Sequence, residues 1–351
     1  MTQHPPDHTL GVDIGGTRMR AAVVAADGAI LDRSASATPA GDPAALLDRL
    51  EALIGRHPDM PVGVGIAGLV DPDGTVRYGP NIGIRDLPLA TRLSAATGGP
   101  VTVANDASVA ALAEQRVGAA VGADDVVLLT LGTGVGGGVV AGGSLLLGAG
   151  GFAGEIGHVI VHEGGRPCPC GNRGCIEAYA SGTAIGLLAR ERLVDPDVPT
   201  TLREVDDPTG ADVTAAAAAG DRFAADVIEE VGGWLGVAIA SVVNVLDPQV
   251  VLLGGGAAAS VAPTALPAAR RALAARLVGS AWRTPPPLEL AALGDDAGVV
   301  GAALLAGDRA RRVADPAAAA GGRAETDLPR SDLPRSDLTR SDRPGADEDT
   351  R

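Results

Sequence analysis

All three cysteines of the 351-residue chain fall within eight residues, as Cys168, Cys170 and Cys175, and His158 stands ten residues before the first. Three thiolates and one imidazole are the donor set of a closed, tetrahedral zinc site. The sulfurs supply soft, charged ligands, and Pro169, Gly171, Asn172 and Gly174 let a short loop fold around one ion. The alternative is three unrelated thiols on a loop, with His158 or His162 at the surface; it requires the only cysteines to cluster by chance. A disulfide framework fits poorly, because the count is odd and nothing marks secretion.

Glu155 and Glu177 flank this loop. A closed site of three cysteines and one histidine has no open position for a water, so zinc there is a brace rather than a Lewis acid. A brace that fixes a histidine and two carboxylates shapes a pocket for a polar, hydroxyl-rich ligand.

Other residues suit phosphate. Residues 9–17 (TLGVDIGGT) read as a strand ending in Asp13 and the turn Gly15-Gly16-Thr17. Glycines let backbone N–H groups approach a phosphate, Thr17 adds a hydroxyl, and Asp13 could hold magnesium through water. Residues 126–140 (VVLLTLGTGVGGGVV) repeat the device at Gly132-Thr133-Gly134, and Gly254-Gly255-Gly256 ends a third strand. The run from 132 matches a dinucleotide fingerprint, but a second strand follows it instead of a helix, so it reads as a glycine-rich hairpin. Residues 63–68 match the same pattern with a turn after them, which is weaker still. Two hairpins opening two halves of the chain suggest a duplicated domain with a nucleotide between the halves. The chain contains no lysine. Walker, protein-kinase and Schiff-base chemistries that need that side chain are therefore excluded, and any ATP must be gripped by backbone amides, hydroxyls and a metal ion.

The elements that must position these residues follow from pattern. Strands are predicted at 20–26 and 29–36 around the turn Asp27-Gly28, then at 62–67, 101–104, 250–253 and 288–293. Helices are predicted at 43–57, from Asp106 through Glu114, and at 177–193, 221–246, 265–277 and 297–306. Asn105-Asp106 ends a strand and opens a helix, which fits a helix cap as well as a site. Residues 79–89 read as an irregular loop able to close over a ligand, and 195–214 as a surface loop. In 221–246, Phe223, Val227, Val231, Leu235, Ala238, Val242 and Leu246 recur at helical spacing and predict a core stripe, with Trp234 as packing. From 307 onward order should fail, and 327–342 repeat Asp-Leu-Pro-Arg-Ser.

The formal charge of −15 disfavours nucleic acid and anionic membranes as partners. No apolar run long enough to span a bilayer is present, and residues 1–8 are polar, so a cytoplasmic location is expected. Aromatic residues make up only 2%, so the core must be aliphatic.

Taken in order, DIGGT at 13–17, ND at 105–106, LGTGVGGG at 131–138, GEIGH at 154–158, CPCGNRGCIEAYAS at 168–181 and GGG at 254–256 resemble the bacterial ROK family, most closely its zinc-containing glucokinases. The resemblance runs from about Leu10 to Gly307. It implies an α/β, two-domain actin/hexokinase-like (ribonuclease H-like) fold with a cleft. Residues 1–118 would form a small domain completed by 297–306, residues 119–296 a large domain with the zinc loop, and 307–351 a disordered tail. It implies transfer of the ATP γ-phosphoryl group to the 6-hydroxyl of a hexose, with Mg²⁺ and a structural Zn²⁺. Asp106 would be the catalytic base. Gly68, Asn81, Asn105, Asp106, Glu155, His158 and Glu177 would face the sugar, and Asp13, Gly15, Gly16, Thr17, Gly132, Thr133, Gly134, Gly254 and Gly255 the nucleotide. His158 would contact the sugar with one nitrogen and zinc with the other. A homodimer or homotetramer is expected.

Three positions depart from the family pattern. Arg18 replaces a common Lys, Ala67 a common Pro and Ile84 a common Trp. The last two lie on the sugar side, so glucose is the first expectation and N-acetylmannosamine, N-acetylglucosamine, mannose or fructose are alternatives. The first glycine motif starts too early to leave room for the DNA-binding domain of ROK repressors, and polyphosphate-using relatives usually lack the cysteine loop. A sugar sensor without turnover and a nicotinamide dehydrogenase are the readings from other classes.

Overall fold

The structure is a computed structural model and describes residues 8–314. The repeat at 327–342 lies outside the described residues. In chain order the first half holds β1 (His8–Ile14), β2 (Arg18–Ala25), β3 (Ile30–Ala37), α1 (Pro43–Ile54), β4 (Val62–Ile66), β5 (Leu69–Val70), β6 (Val76–Gly79), β7 (Ile84–Leu87), α2 (Leu89–Thr97), β8 (Val101–Asn105) and α3 (Asp106–Val117). The second holds β9 (Val126–Leu131), β10 (Val135–Ala141), β11 (Ser144–Leu145), α4 (Glu177–Ala180), α5 (Gly182–Arg192), α6 (Gly210–Ala218), α7 (Arg222–Leu246), β12 (Val250–Gly254), α8 (Ala258–Ala274), β13 (Leu288–Leu290) and α9 (Ala297–Ala314).

Two five-stranded sheets share one topology. The first runs β3-β2-β1-β4-β8 and the second β11-β10-β9-β12-β13. In each, the first three strands pair antiparallel and the last two join in parallel. The two glycine turns therefore occupy equivalent places, between β1 and β2 and between β9 and β10, as expected of a duplicated fold. The strands β4, β9 and β12 are almost wholly apolar because both faces of each sheet are covered. The buried side chains of the first sheet pack with α1 and α2, and those of the second with α7 and α8.

Between the sheets run α3 and α9. Helix α9 packs on β1, β2 and β4, α3 packs on β9 and β10, and the two helices pack on each other. Backbone meets backbone there: a Cβ at Gly63 would lie 1.8 Å from the Ala302 carbonyl oxygen, and one at Gly301 1.8 Å from that of Val109. Small residues thus hold α3 at a fixed depth, and α3 carries Asp106.

Several elements differ from expectation. The predicted helix 177–193 is broken at Ser181, whose hydroxyl accepts the Ala184 amide and starts α5 anew. The predicted surface loop 195–214 contains the start of α6, opened by a Thr209–Asp212 capping box. Residues 79–89 are not irregular: β5, β6 and β7 make a small antiparallel sheet, and α2 begins at Leu89. Helix α8 begins seven residues before its expected start and runs through Pro263 and Pro267. Burial of Val261, Ala262, Ala265 and Leu266 on one face outweighs the two lost amide donors. Helix α9 continues past Gly307 to Ala314, because Ala306 and Gly307 are buried against the sheet. Helix α7 matches its predicted span, and its apolar stripe is core.

Candidate active site

Strand β8 ends at Asn105, and α3 begins at Asp106. Asn105 is the helix cap: its Oδ1 accepts the Ser108 amide at 3.0 Å, while its Nδ2 donates to the Gly68 carbonyl at 3.2 Å. The capping work falls on Asn105, so the Asp106 carboxylate is free of that role and accepts the adjacent Ala107 amide at 2.9 Å. Among the described residues Asp106 has no salt-bridge partner. Burial raises its pKa, and the helix-terminal amides of Ala107 and Asp106 only partly oppose this.

Asp13 stands at the end of β1, in the same region. Burial raises its pKa to about 7; the charge of Asp106 adds to the rise, and Arg20, 3.6 Å away, counters it. The turn after Asp13 is held by the Gly15 amide donating to the Arg18 carbonyl at 3.0 Å and by Thr38 Oγ1 donating to the Gly15 carbonyl at 2.8 Å. A Cβ at Gly16 would sit 3.4 Å from the Asn81 Cβ, so Asn81, in the β6–β7 turn, flanks this glycine turn.

The wall opposite is built on β10. A Cβ at Gly157 would lie 1.9 Å from the Val135 carbonyl oxygen, so the 155–158 segment lies directly on that strand. His158 turns Nδ1 to Cys168 Sγ at 3.7 Å and Nε2 to Glu155 Oε2 at 3.8 Å. One donor atom each from His158, Cys168, Cys170 and Cys175 lie within 4.8 Å of one another, and Cys170 Sγ is 3.7 Å from Cys175 Sγ. Zinc–sulfur bonds in a tetrahedron put two sulfurs ~3.8 Å apart, so the donor set fits zinc. The loop is pre-shaped by the Cys168 amide donating to the Asn172 carbonyl at 2.9 Å and by Gly171 at φ 95°. His162 takes no part. It stacks on Trp234, and its Nδ1 is 3.2 Å from the Tyr179 hydroxyl.

Glu177 opens α4 and ties the zinc loop to the second glycine turn. Its Oε2 accepts the Val135 amide at 3.0 Å, and its Oε1 is 3.6 Å from Cys168 Sγ. Glu155 is raised by burial; His158 opposes, and the charges of Asp106 and Glu177 raise it further. Asp106, Glu155, His158 and Glu177 thus share one electrostatic environment.

Next to the second glycine turn is a pocket of about 500 Å³. Gly132 and Thr133 line it, with Gly182, Thr183, Gly210 and Gly256 among the other walls. Three expected nucleotide residues are not in its lining: Gly134 faces the Glu177 carboxylate, Gly254 ends β12, and Gly255, at φ 85°, packs on Leu131. Asp13, Gly15, Gly16 and Thr17 belong to the first sheet's turn and do not line it either. Sequence reasoning missed the walls from α5 and α6, although Ser181 and Thr209 carried cap signals that would have found both helix starts.

Residues 9–309 match the ROK family pattern. The chain belongs to the ROK family. This ROK protein is 39% identical over 315 residues to a glucokinase of Halalkalibacterium halodurans, covering 84% of this chain and 94% of that one. It is 38% identical over 255 residues to an N-acetylmannosamine kinase of Escherichia coli, covering 70% and 82%. Among solved structures it resembles a ROK family glucokinase of Streptomyces griseus in complex with glucose and AMPPNP, at 38% identity and a TM-score of 0.74, covering 85% and 98% of the two chains. The fold is accordingly the two-domain, actin/hexokinase-like α/β fold of ROK sugar kinases.

Proposed function

We propose that this protein is an ATP-dependent hexose kinase that phosphorylates the 6-hydroxyl of glucose, with Asp106 as general base. The observation that carries the reading is the setting of Asp106, a buried carboxylate whose charge acts on Asp13 beside one glycine turn and on Glu155 beside the zinc loop. The curated glucokinase relatives supply the substrate.

A sugar hydroxyl is a poor nucleophile at neutral pH. Its oxygen attacks the γ-phosphorus, its proton passes to Asp106, and the bond from phosphorus to the bridging oxygen breaks to release ADP. Burial raises the Asp106 pKa, which makes it a stronger base than a solvated carboxylate once it is ionised. Asn105, Glu155 and His158 would accept and donate hydrogen bonds to the ring hydroxyls, with Gly68 and Asn81 at the edge of the sugar subsite. Glu177 would orient the wall through the Val135 amide and also reach the sugar. The amides of Gly15, Gly16, Thr17, Gly132, Thr133 and Gly134 would face the phosphates, and Gly254 and Gly255 would shape the turn beside the adenosine pocket. Magnesium, held through Asp13, would offset charge on the phosphoryl group. The charge of Asp106 acts on Asp13, whose ion-pair partner among the described residues is Arg20, and this excess of carboxylates fits a site that receives a cation. Zinc would brace His158 and leave its Nε2 for the sugar.

The halves 1–118 with 297–306 and 119–296 would close around the substrates and exclude water. The protein would be a cytoplasmic homodimer or homotetramer, and the −15 charge disfavours nucleic acid and anionic membranes as partners. The N-acetylmannosamine kinase relatives favour one second reading, an N-acetylhexosamine as acceptor. A coupled ADP assay with MgATP against glucose, mannose, fructose, N-acetylglucosamine and N-acetylmannosamine tests both. Glucose turned over most efficiently is expected; turnover of an N-acetylhexosamine alone would reassign the substrate, and no turnover with any sugar would end the kinase reading.

A further inference from the structure

Glu114 lies in α3, two turns beyond Asp106, and is fully buried. The reaction described above does not use it. Its carboxylate accepts three backbone amides: Oε2 takes Ala119 at 2.8 Å and Ala292 at 3.0 Å, and Oε1 takes Leu293 at 2.8 Å. A buried carboxylate is costly unless its lone pairs are filled, and here charge-assisted bonds fill them.

The donors come from two distant segments. Ala119 belongs to the segment that carries the chain from α3 to β9, out of the first sheet and into the second. Ala292 and Leu293 belong to the segment that returns it from β13 to α9. These are the two crossings between the sheets within the described residues, and one side chain holds both. The main chain of the same residue joins in, its carbonyl accepting Gly118 at 3.1 Å and Ala120 at 3.0 Å. The fit is tight: a Cβ at Gly118 would lie 2.1 Å from Glu114 Oε2.

Each crossing leads to a reacting group. Helix α3 begins with Asp106. The return crossing carries Asp295, whose Oδ2 is 2.5 Å from Arg20 Nη2, and Arg20 in turn pairs with Asp13. It then enters α9, where a Cβ at Gly298 would lie 2.8 Å from Asp13 Cγ. Fastening the end of α3 to the entrance of α9 therefore sets how far Asp106 stands from Asp13.

We propose that Glu114 is a positioning residue for phosphoryl transfer, clamping the two crossings so that the base and the phosphate-side carboxylate keep their spacing. The proposal rests on the kinase reading above. Glutamine has the same shape but only one oxygen, so Glu114→Gln must leave at least one of the three amides facing an N–H group.

The test uses the full chain, glucose and MgATP. In Glu114→Gln, kcat is expected to fall roughly 10- to 100-fold while the glucose Kd, to which Glu155 and His158 of the zinc-braced wall contribute, changes by less than about twofold. Hydrogen exchange at Ala119, Ala292 and Leu293 should quicken together. A merely structural role would lower Tm and leave the kcat of the folded enzyme intact. Should Glu114→Gln not fold, Gly118→Ala decides, since it displaces the carboxylate without removing it and should give the same split. An active wild type beside an equally active variant overturns this assignment alone, as do parallel losses of kcat and glucose binding. A wild type without turnover on any hexose overturns the kinase reading itself, and this assignment with it.

Discussion

The Asp13 carboxyl lies within the field of Asp106, and burial together with that charge raises its pKa to about 7, well above the ordinary value of 3.8. A folded chain holding a proton this tightly is most favoured at low pH. The contribution is complete below about pH 4, where both folded and unfolded chains are protonated, and it is lost as pH rises to about 7, the folded value. At pH 8, without nucleotide or magnesium, Asp13→Asn should therefore be more stable than the wild type, by at most about 4 kcal/mol. It should also lose turnover. Thermal melts from pH 4 to 8 check this: the gap between variant and wild type should widen with pH, and a constant gap would remove the electrostatic explanation.

Zinc removal should act on sugar more than on nucleotide. Elemental analysis of fresh protein is expected to find one zinc per chain, held by His158, Cys168, Cys170 and Cys175. Chelation, or Cys175→Ser at a fully buried thiol, should lower Tm and weaken glucose binding together, because His158 and Glu155 lose their support. Metal-free protein with native glucose affinity would show that the cysteine loop is not a brace.

The pocket beside Gly132 makes the opposite prediction. A Cβ at Gly210 would lie 2.2 Å from the Gly182 carbonyl oxygen, so Gly210→Ala must shift the contact between α5 and α6. KM for ATP should rise about tenfold, with glucose binding unchanged. Isothermal titration with a non-hydrolysable ATP analogue and with glucose separates the two; loss of glucose binding alone would assign the pocket to the sugar.

What could be seen beforehand depended on how local its cause was. The hairpin around Gly132 was legible because a second strand, not a helix, follows the glycines, and the Cys168–Cys175 loop because its ligands are neighbours in sequence. Local breakers misled elsewhere. Gly307 and Pro263 look like helix ends, but burial of their faces carries α9 and α8 through them. Ser181 hides a helix break inside a continuous apolar pattern, and the Thr209–Asp212 capping box lay unread in a Pro- and Asp-rich stretch. Glu114 was invisible for another reason. Two of its three partners, Ala292 and Leu293, become neighbours only when α9 returns to the first sheet.

The most direct measurement is steady-state kinetics and glucose calorimetry on Asp106→Asn, a change that keeps the volume and removes the base. With Asp106 as the base, kcat falls on the order of 10²- to 10⁴-fold while the glucose Kd stays close to the wild-type value. In the wild type, kcat should rise with pH through a midpoint above the ordinary carboxylate range, because burial raises Asp106. An Asp106→Asn enzyme with wild-type turnover and the same acid limb would contradict it.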